Sequence, residues 1–179
     1  PFIVKPPKEV PVQPRVSDAL VELIDFPATV YDFAGIEPGY WHFGESLRPV
    51  LAGEVKEHRD AIFCEGGRLQ GEGQAMELNS LERYDDPSVS LYWPRIKHQV
   101  SDAEPWHTKA AMCRTHDFKY IKRLYEKDEL YDLRNDPQEM QNVIDAPDYG
   151  EALLKLKERM LTWYMATADV VPLEADRRW

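Results

Sequence analysis

Alternating apolar and polar positions predict an antiparallel sheet in the second half of the chain. Residues 119–125, KYIKRLY, alternate in this way and are rich in strand-forming side chains, and residues 129–133, ELYDL, repeat the pattern after a short polar link. Two such runs joined by a short link are typical of a β-hairpin. The run before them, KAAMCRT at 109–115, is a further candidate, so we predict three antiparallel strands.

Helical spacing predicts one long helix near the end of the chain. Leu153, Leu156, Met160 and Trp163 follow one another at intervals of three, four and three residues. This spacing places them on one face of a helix, where they form an apolar stripe. We therefore predict a helix over about residues 148–165, with its stripe packed on one face of the predicted sheet.

Two shorter helices are predicted in the first third of the chain. Apolar residues recur at helical spacing over 27–34, where Asp25 would cap the helix and Gly35 would end it. A second short helical segment is predicted within 43–54, ending at Gly53.

The segment after the hairpin carries a helix-start pattern. Asp136 is a good N-cap residue, Pro137 suits the first helical position, and Glu139 follows the cap by three residues. This arrangement is a capping box, so the sequence predicts that a helical turn begins here.

Two apolar runs predict strands that are buried on both faces. They are PFIVK at 1–5 and RDAIFCEGG at 59–67. Strands of this kind normally lie among parallel neighbours supplied by βαβ units. Too little chain precedes them to build those units, so we expect the first 68 residues either to contact another polypeptide or to expose an apolar patch.

Composition excludes several classes of protein. Hydrophobic residues make up 43% of the 179 residues, which is incompatible with wholesale disorder. The net charge of -10 disfavours binding to nucleic acid, and the apolar runs are too short to span a bilayer. Cys64 and Cys113 lie in apolar runs, so we expect two buried, reduced thiols, which slightly favour a cytoplasmic protein. The chain begins at Pro1 without a methionine, so we expect its natural beginning to lie further upstream.

The order of these segments resembles the C-terminal portion of a formylglycine-dependent sulfatase of the alkaline-phosphatase superfamily. The segments that carry the resemblance are LIDFPATVYDFAGIEP, FGESLRPVLAGE, RDAIFCEGG, RTHDFKYI and DELYDLRNDPQEMQN. The resemblance runs from about residue 1 to about residue 165 and is weakest across the polar stretch 68–105.

The resemblance implies a fold and a division of the chain. The parent enzyme would be α/β and alkaline-phosphatase-like, and this chain would itself be α+β. Residues 1–68 would be the terminal part of the catalytic α/β domain. Residues 69–179 would be a C-terminal subdomain, made of a long loop, a small antiparallel sheet and a long helix.

The resemblance also implies hydrolysis of a sulfate ester. The family's nucleophile is a formylglycine made within a Cys/Ser-x-Pro/Ala-x-Arg motif, and its metal is calcium. Cys64 is followed by Glu-Gly-Gly and Cys113 by Arg-Thr-His, so neither matches. We therefore expect no catalytic residue and no metal ligand in this chain, and calcium and formylglycine only in the full-length enzyme. Expected partners are the missing N-terminal catalytic region and a sulfated small molecule or sugar, and like chains could also associate.

Candidate substrate-binding residues follow from the family's layout, in which the small domain lies over the mouth of the active site. His107 and Lys109 could bind the sulfate, Trp106 could stack on a sugar, and Arg95 could lie in a substrate-lining loop. The competing interpretation is a solvated loop for the cations and simple packing for Trp106 and Arg95.

A second candidate segment ends the strand predicted at 59–67. Glu65, Gly66 and Gly67 could face the cleft, or the two glycines could serve only the turn. Two functions other than sulfate-ester hydrolysis also stay open. One is hydrolysis of phosphoesters or phosphonates within the same superfamily, and the other is a non-catalytic α+β interaction module.

Overall fold

The chain folds as an α+β unit in which a long helix covers one face of a four-stranded antiparallel sheet. The computed structural model describes residues 2–10, 12, 14–67, 69 and 108–168. Its elements in chain order are α1 (Asp25–Ala34), α2 (Arg48–Ala52), β1 (Ile62–Gly66), β2 (Ala110–Arg114), β3 (Phe118–Arg123), β4 (Glu129–Asp132), a 3₁₀ turn (Pro147–Tyr149) and α3 (Gly150–Thr167).

The three strands predicted between 109 and 133 are present, and β1 adds a fourth at one edge. The strand order is β1-β2-β3-β4, with every neighbouring pair antiparallel. The register places Phe63, Cys113, Tyr120 and Leu130 in one row across the sheet. Because side chains alternate along a strand, this whole row lies on one face.

The predicted long helix packs on that face. Cys113, Tyr120 and Leu130 are buried in one core cluster with Leu156 and Met160 of α3. This confirms that the apolar stripe of α3 covers the sheet.

The opposite face of the sheet, here called the open face, carries the alternate residues of the same strands. In register these include the row Cys64, Met112 and Ile121, and the row beside it that contains Ile62 and Arg114. Among the described elements, the helix that packs on the sheet is α3, which lies on the other side.

The two short helices form where the sequence predicts them, and both end at a glycine. Gly35 and Gly53 have φ of 63° and 79°, the left-handed conformation that glycine adopts without strain. The predicted role of Asp25 is wrong, however. The N-cap position belongs to Ile24, and Asp25 is fully buried inside a polar network instead of capping the helix.

The predicted helical start at Asp136 is also wrong. Residues 133–142 form successive turns after β4. The Asp136 carboxylate accepts a hydrogen bond from the Gln141 N–H at 2.7 Å, and the Glu139 carboxylate pairs with Lys119 at 2.5 Å. Glu139 has a φ of 58°, so the helix is interrupted at the residue that would complete the capping box.

The structure corrects the two strands that were expected to lie in a parallel sheet. Residues 2–5 form no strand and are largely exposed. β1 does form, but it pairs antiparallel with β2 at the edge of the small sheet. The division of the chain at residue 68 stays a prediction, although β1 before it is hydrogen-bonded to β2 after it.

The first 67 residues expose many large apolar side chains. Several lie on or beside α1: Leu23, Ile24, Phe26, Val30, Ile36, Tyr40, Trp41 and Phe43. Apolar surface of this extent is typical of a region that contacts another polypeptide.

The two cysteines are both free but differ in exposure. Cys113 is fully buried beneath α3, whereas Cys64 is exposed on the open face. Burial raises the pKa of the Cys113 thiol to about 11. The expectation of two buried thiols is thus wrong for Cys64, because β1 is an edge strand and α3, the described helix that packs on the sheet, covers the other face.

Candidate functional site

A shallow cleft of about 230 Å³ lies where β1 ends and β2 begins. β1 ends at Gly66, and Gly67 then turns the chain with a φ of 78°. The cleft is lined by Cys64, Glu65, Gly66, Gly67, Thr108, Ala110, Ala111, Met112 and Ile121. It therefore occupies one end of the open face.

Lys109 lies along the chain between two residues of the cleft wall, Thr108 and Ala110, and is not itself part of the lining. The Thr108 hydroxyl donates to the Glu126 carboxylate at 2.6 and 2.7 Å, and the Lys109 carbonyl accepts from the Leu124 N–H at 3.0 Å. These contacts fix the backbone on both sides of the Lys109 side chain. Lys109 is exposed and forms no ion pair with another described residue.

The residues that end β1 make two kinds of contact. Gly66 and Gly67 line the cleft. Glu65 also lines it, but its carboxylate accepts a hydrogen bond from the Tyr164 hydroxyl of α3 at 3.2 Å. Burial and this neighbouring carboxylate raise the pKa of Tyr164 above its ordinary value. Glu65 thus ties the edge strand to the helix.

The other three candidate substrate-binding residues, Arg95, Trp106 and His107, lie outside the described residues. Their roles stay predictions. Of these four candidates, Lys109 is the one among the described residues, and its substrate-binding role also stays a prediction.

Sequence reasoning missed a second and larger cavity, of about 490 Å³, between α3 and the segment that leads into β1. Phe63 and Trp163 stack there with their ring centroids 4.9 Å apart. The polar residues of its lining are Glu45, His58, Arg59, Asp60, Arg159 and Thr162. No local sequence pattern indicates this cavity, because its lining residues come from distant parts of the chain.

Arg59 is the centre of a buried polar network behind this cavity. Its guanidinium donates to both oxygens of the Asp25 carboxylate and to the Phe43 carbonyl, and it lies 3.0 Å from the Glu45 carboxylate. His58 Nε2 lies 3.2 Å from the Asp25 carboxylate without hydrogen-bond geometry. These contacts of Arg59 are all made with residues of this chain. The network therefore holds α1 against the residues that lead into β1.

The pKa of Asp25 is consistent with this network. Burial opposes ionisation of the Asp25 carboxyl, but hydrogen bonds from Arg59 and from the N–H groups of Glu45 and Glu22 outweigh it and lower the pKa. Burial likewise opposes the charge of Arg59, and the carboxylates of Asp25, Glu45 and Glu22 raise the pKa of its guanidinium. Both groups are therefore charged, and each stabilises the other.

The described residues do not fit a resident metal ion. Within the described ranges, no three His, Cys, Asp or Glu side chains converge in a way that could hold one. Nor does this part of the chain contain a helix with the length and apolar character needed to cross a membrane.

Comparisons with known proteins agree with this arrangement. Residues 97–165 match the family described as N-sulphoglucosamine sulphohydrolase, C-terminal. The N-acetylglucosamine-6-O-sulfatase of Bacteroides thetaiotaomicron is 29% identical over 162 residues, which cover 89% of this chain and 23% of that protein. An ulvan-active sulfatase of Formosa agariphila is 20% identical over 178 residues, covering 94% of this chain and 29% of that protein.

Solved structures of other hydrolases contain a region with a similar fold. The phosphonate monoester hydrolase of Agrobacterium radiobacter superposes with a TM-score of 0.54 at 25% identity, over 79% of this chain and 24% of that one. A protein solved in complex with its substrate D-glucosamine-2-N,6-O-disulfate gives a TM-score of 0.54 at 25% identity, over 85% of this chain and 25% of that one.

The chain thus folds as an α+β unit similar to parts of sulfatases and other alkaline-phosphatase-like hydrolases. Within that class, sequence and structure confirm the resemblance to the C-terminal portion of a sulfatase. The chain spans between 23% and 29% of the length of the two curated sulfatases compared above.

Proposed function

We propose that this chain is the C-terminal region of an enzyme that hydrolyses sulfate esters, and that it forms one wall of the substrate cleft. The observation that carries the proposal is the cleft at the ends of β1 and β2, whose wall contains both chain neighbours of the exposed Lys109. A sulfate ester keeps a negative charge, so a lysine cation at this position would attract and orient it. The family match supports the choice of reaction.

The proposed substrate is a sulfated sugar. His107 immediately precedes the described strand region, and we propose that it adds a second polar contact beside Lys109. Trp106 would stack on the sugar ring, and Arg95 would contact a further anionic group. The relatives named for sulfated N-acetylglucosamine and for D-glucosamine disulfate support a substrate of this class.

The chemical step would depend on groups outside these 179 residues. Neither Cys64 nor Cys113 lies in the motif that becomes formylglycine, and the described residues offer no metal site. We propose that the formylglycine and the calcium of the full-length enzyme belong to an N-terminal catalytic region, the principal partner of this chain. The contribution of the chain is then to bind and orient substrate. Association of like chains stays a prediction.

The test compares this chain with the longer protein encoded by its gene. We expect the longer protein to hydrolyse 4-nitrophenyl sulfate or N-acetylglucosamine-6-sulfate and the 179-residue chain to hydrolyse neither. Lys109→Ala in the longer protein should raise KM for the sulfated sugar by about tenfold and change kcat less, since its contact is made with bound substrate as well as in the transition state.

Lys155→Ala is the matched control, because Lys155 is an exposed lysine of α3 that pairs with Glu151 away from the cleft. It should leave both constants unchanged. Calcium-dependent turnover by the pure 179-residue chain, or a longer protein with no activity on any sulfate ester, would overturn the proposal.

The alternative reaction is hydrolysis of a phosphonate or phosphate ester, favoured by the similarity to a phosphonate monoester hydrolase. Assaying the longer protein on a phenylphosphonate monoester beside the sulfate ester distinguishes the two by their kcat/KM. A non-catalytic α+β interaction module is the remaining alternative, and a reading frame that begins close to Pro1 would favour it.

A further inference from the structure

Thr108 is the hydroxyl-bearing residue of the described cleft lining, whose other members are Cys64, Glu65, two glycines and four apolar residues. The Glu65 carboxylate accepts from the Tyr164 hydroxyl of α3, the helix that packs on the opposite face of the sheet. A thiol such as that of Cys64 is a weak hydrogen-bonding group. The Thr108 hydroxyl is therefore the side-chain group of the described wall that is best suited to recognise a bound molecule.

The hydrogen of this hydroxyl is committed to Glu126. Thr108 Oγ1 lies 2.6 and 2.7 Å from the two oxygens of the Glu126 carboxylate. A hydroxyl has one hydrogen and two lone pairs, whereas an ionised carboxylate can only accept. Thr108 therefore donates to Glu126, and toward any further group its oxygen acts as an acceptor.

The connection between β3 and β4 holds Glu126 in place. Within this connection the Asp128 carboxylate accepts hydrogen bonds from the Tyr120 hydroxyl at 2.8 Å and from the Arg123 N–H at 3.1 Å. Burial opposes ionisation of the Asp128 carboxyl, but the hydrogen bonds that it accepts outweigh burial and lower its pKa. Asp128 is therefore charged and fixes the turn to β3, so Glu126 reaches Thr108 from an ordered backbone.

We propose that Thr108 is a specificity-determining residue of the cleft and that Glu126 is the positioning residue that makes it an acceptor. The part of the substrate that meets Thr108 would then be a hydrogen-bond donor, namely a free hydroxyl or an amino group of the sugar. A sulfate group at the same point would bring acceptor oxygens and negative charge against Thr108 and Glu126, which is unfavourable. Thr108 would thus recognise an unsulfated position of the sugar. The inference rests on the proposed function, in that it takes the cleft to bind the sugar of a sulfate ester.

A purely structural role for the pair makes a different prediction. Thr108 immediately precedes Lys109, whose carbonyl accepts from the Leu124 N–H at 3.0 Å, so the contact between Thr108 and Glu126 also joins the residues before β2 to those after β3. A contact that served only to hold these strands would lower stability and affect every substrate equally. Recognition of a donor changes the preference among substrates instead, because an analogue without the donor leaves the site's polar group unpaired.

Thr108→Val removes the acceptor with little change in side-chain volume. In the longer protein we expect it to lower kcat/KM for N-acetylglucosamine-6-sulfate by at least about tenfold and to change kcat/KM for 4-nitrophenyl sulfate by less than about twofold, because the aryl ester carries no donor. Thr108→Ser keeps the hydroxyl and should retain the wild-type ratio of the two values. Thr162→Val is the matched control: the Thr162 hydroxyl donates to the Glu158 carbonyl within α3, so the ratio should not change.

Glu126→Ala tests the positioning role. It releases the Thr108 hydrogen, so the ratio of the two kcat/KM values should fall, although by less than in Thr108→Val. Loss of the negative charge of Glu126 acts on both sulfate esters and therefore cancels in the ratio. In the Thr108→Val background, Glu126→Ala should have no further effect on the ratio, because Glu126 acts through the Thr108 hydroxyl.

Binding of an unsulfated sugar gives a measurement that is independent of turnover. N-acetylglucosamine is titrated into the 179-residue chain while the amide chemical shifts are followed. The amides of Gly66 and Thr108, which line the cleft, should shift and saturate. Thr108→Val should weaken this binding by about tenfold, and Thr162→Val should leave it unchanged.

Three kinetic outcomes overturn the inference: equal losses for the two esters in Thr108→Val, a ratio that Thr108→Ser does not retain, or an effect of Glu126→Ala on the ratio that persists in the Thr108→Val background. A longer protein that hydrolyses neither ester refutes the proposed reaction, and the titration then decides alone. Shifts that depend on Thr108 would support the inference without that reaction, and their absence would overturn it.

Discussion

Replacing Leu156 with aspartate tests the packing of α3 on the sheet. The Leu156 side chain is 4% exposed and belongs to the cluster with Tyr120, Leu130 and Met160. Removing a buried leucine side chain as far as alanine costs about 2–5 kcal/mol. Aspartate removes the same methyl groups and also places a carboxylate without a partner in the core. We therefore expect Leu156→Asp to cost at least as much as the upper part of that range, about 4–5 kcal/mol.

Such a loss is large compared with the stability of a domain of this size. Native domains are stable by about 5–15 kcal/mol, so Leu156→Asp should leave α3 and the sheet only marginally folded. Leu156→Ala is the milder variant for the case in which the aspartate variant does not fold, and it should lower the free energy of unfolding by about 3 kcal/mol. Urea denaturation followed by far-ultraviolet circular dichroism measures both.

Leu154→Asp is the matched control, because it introduces the same charge two positions away on the same helix. Leu154 is 58% exposed, so its replacement should change the free energy of unfolding by no more than about 0.5 kcal/mol. Equal losses for the variants at 154 and 156 would show that the helix does not present Leu156 to the sheet. The midpoint and the slope of the denaturation curve separate loss of stability from a change in the unfolded state.

Three further predictions concern the rest of the fold. The hydrogen bond from Arg134 lowers the pKa of Asp132 from 3.8 to about 2, so its stabilising effect is present above pH 3.8 and is lost as the pH falls toward 2. Denaturation curves should therefore show that Asp132→Asn destabilises the protein less as the pH falls through this window; a constant difference would contradict this. A Cβ at Gly44 would overlap the carbonyl of Ile24, so Gly44→Ala should cost about 1–3 kcal/mol in urea denaturation, whereas Gly39→Ala, which meets no neighbouring atom, should be nearly neutral. In hydrogen exchange on the isolated chain, amides before β1 should exchange faster than those of β2 and β3, and uniform strong protection would indicate a complete domain.

Local patterns predicted most of the regular structure. The alternation over 109–133 and the stripe on α3 are strong because each is repeated several times within one element. Gly35 and Gly53 marked helix ends correctly, since both adopt the left-handed conformation that the sequence pattern assumes. These features depend on neighbouring residues, which the sequence shows directly.

The errors came from contacts between distant residues. Asp25 has the chemistry of a cap, but Arg59, far along the chain, takes its carboxylate. Glu139 has the spacing of a capping box, but Lys119 of β3 takes its side chain. The apolar run that became β1 was consistent with a parallel or an antiparallel neighbour, and only the fold decides between them.

The candidate site could be predicted only in part for the same reason. The substrate-binding role of Lys109 stays a prediction, although its chain neighbours Thr108 and Ala110 line a cleft. The cavity around Arg59 combines residues from three separate segments, so no local pattern indicates it. Sequence alone likewise could not show that the Nε atom of Arg114 is buried without an acceptor among the described residues.

The pairing of β1 with β2 has a consequence for how this region can vary. The two strands are neighbours in space, yet residues 67–109 separate them along the chain, and the register holds Gly66 opposite Ala110. Once such a long excursion is closed, doubling its length adds only about 0.6 kcal/mol of chain entropy. The excursion can therefore gain or lose residues with little effect on the sheet that anchors it. Because both anchors lie at the cleft, the sheet would keep its wall of the cleft whatever the length of the segment between them.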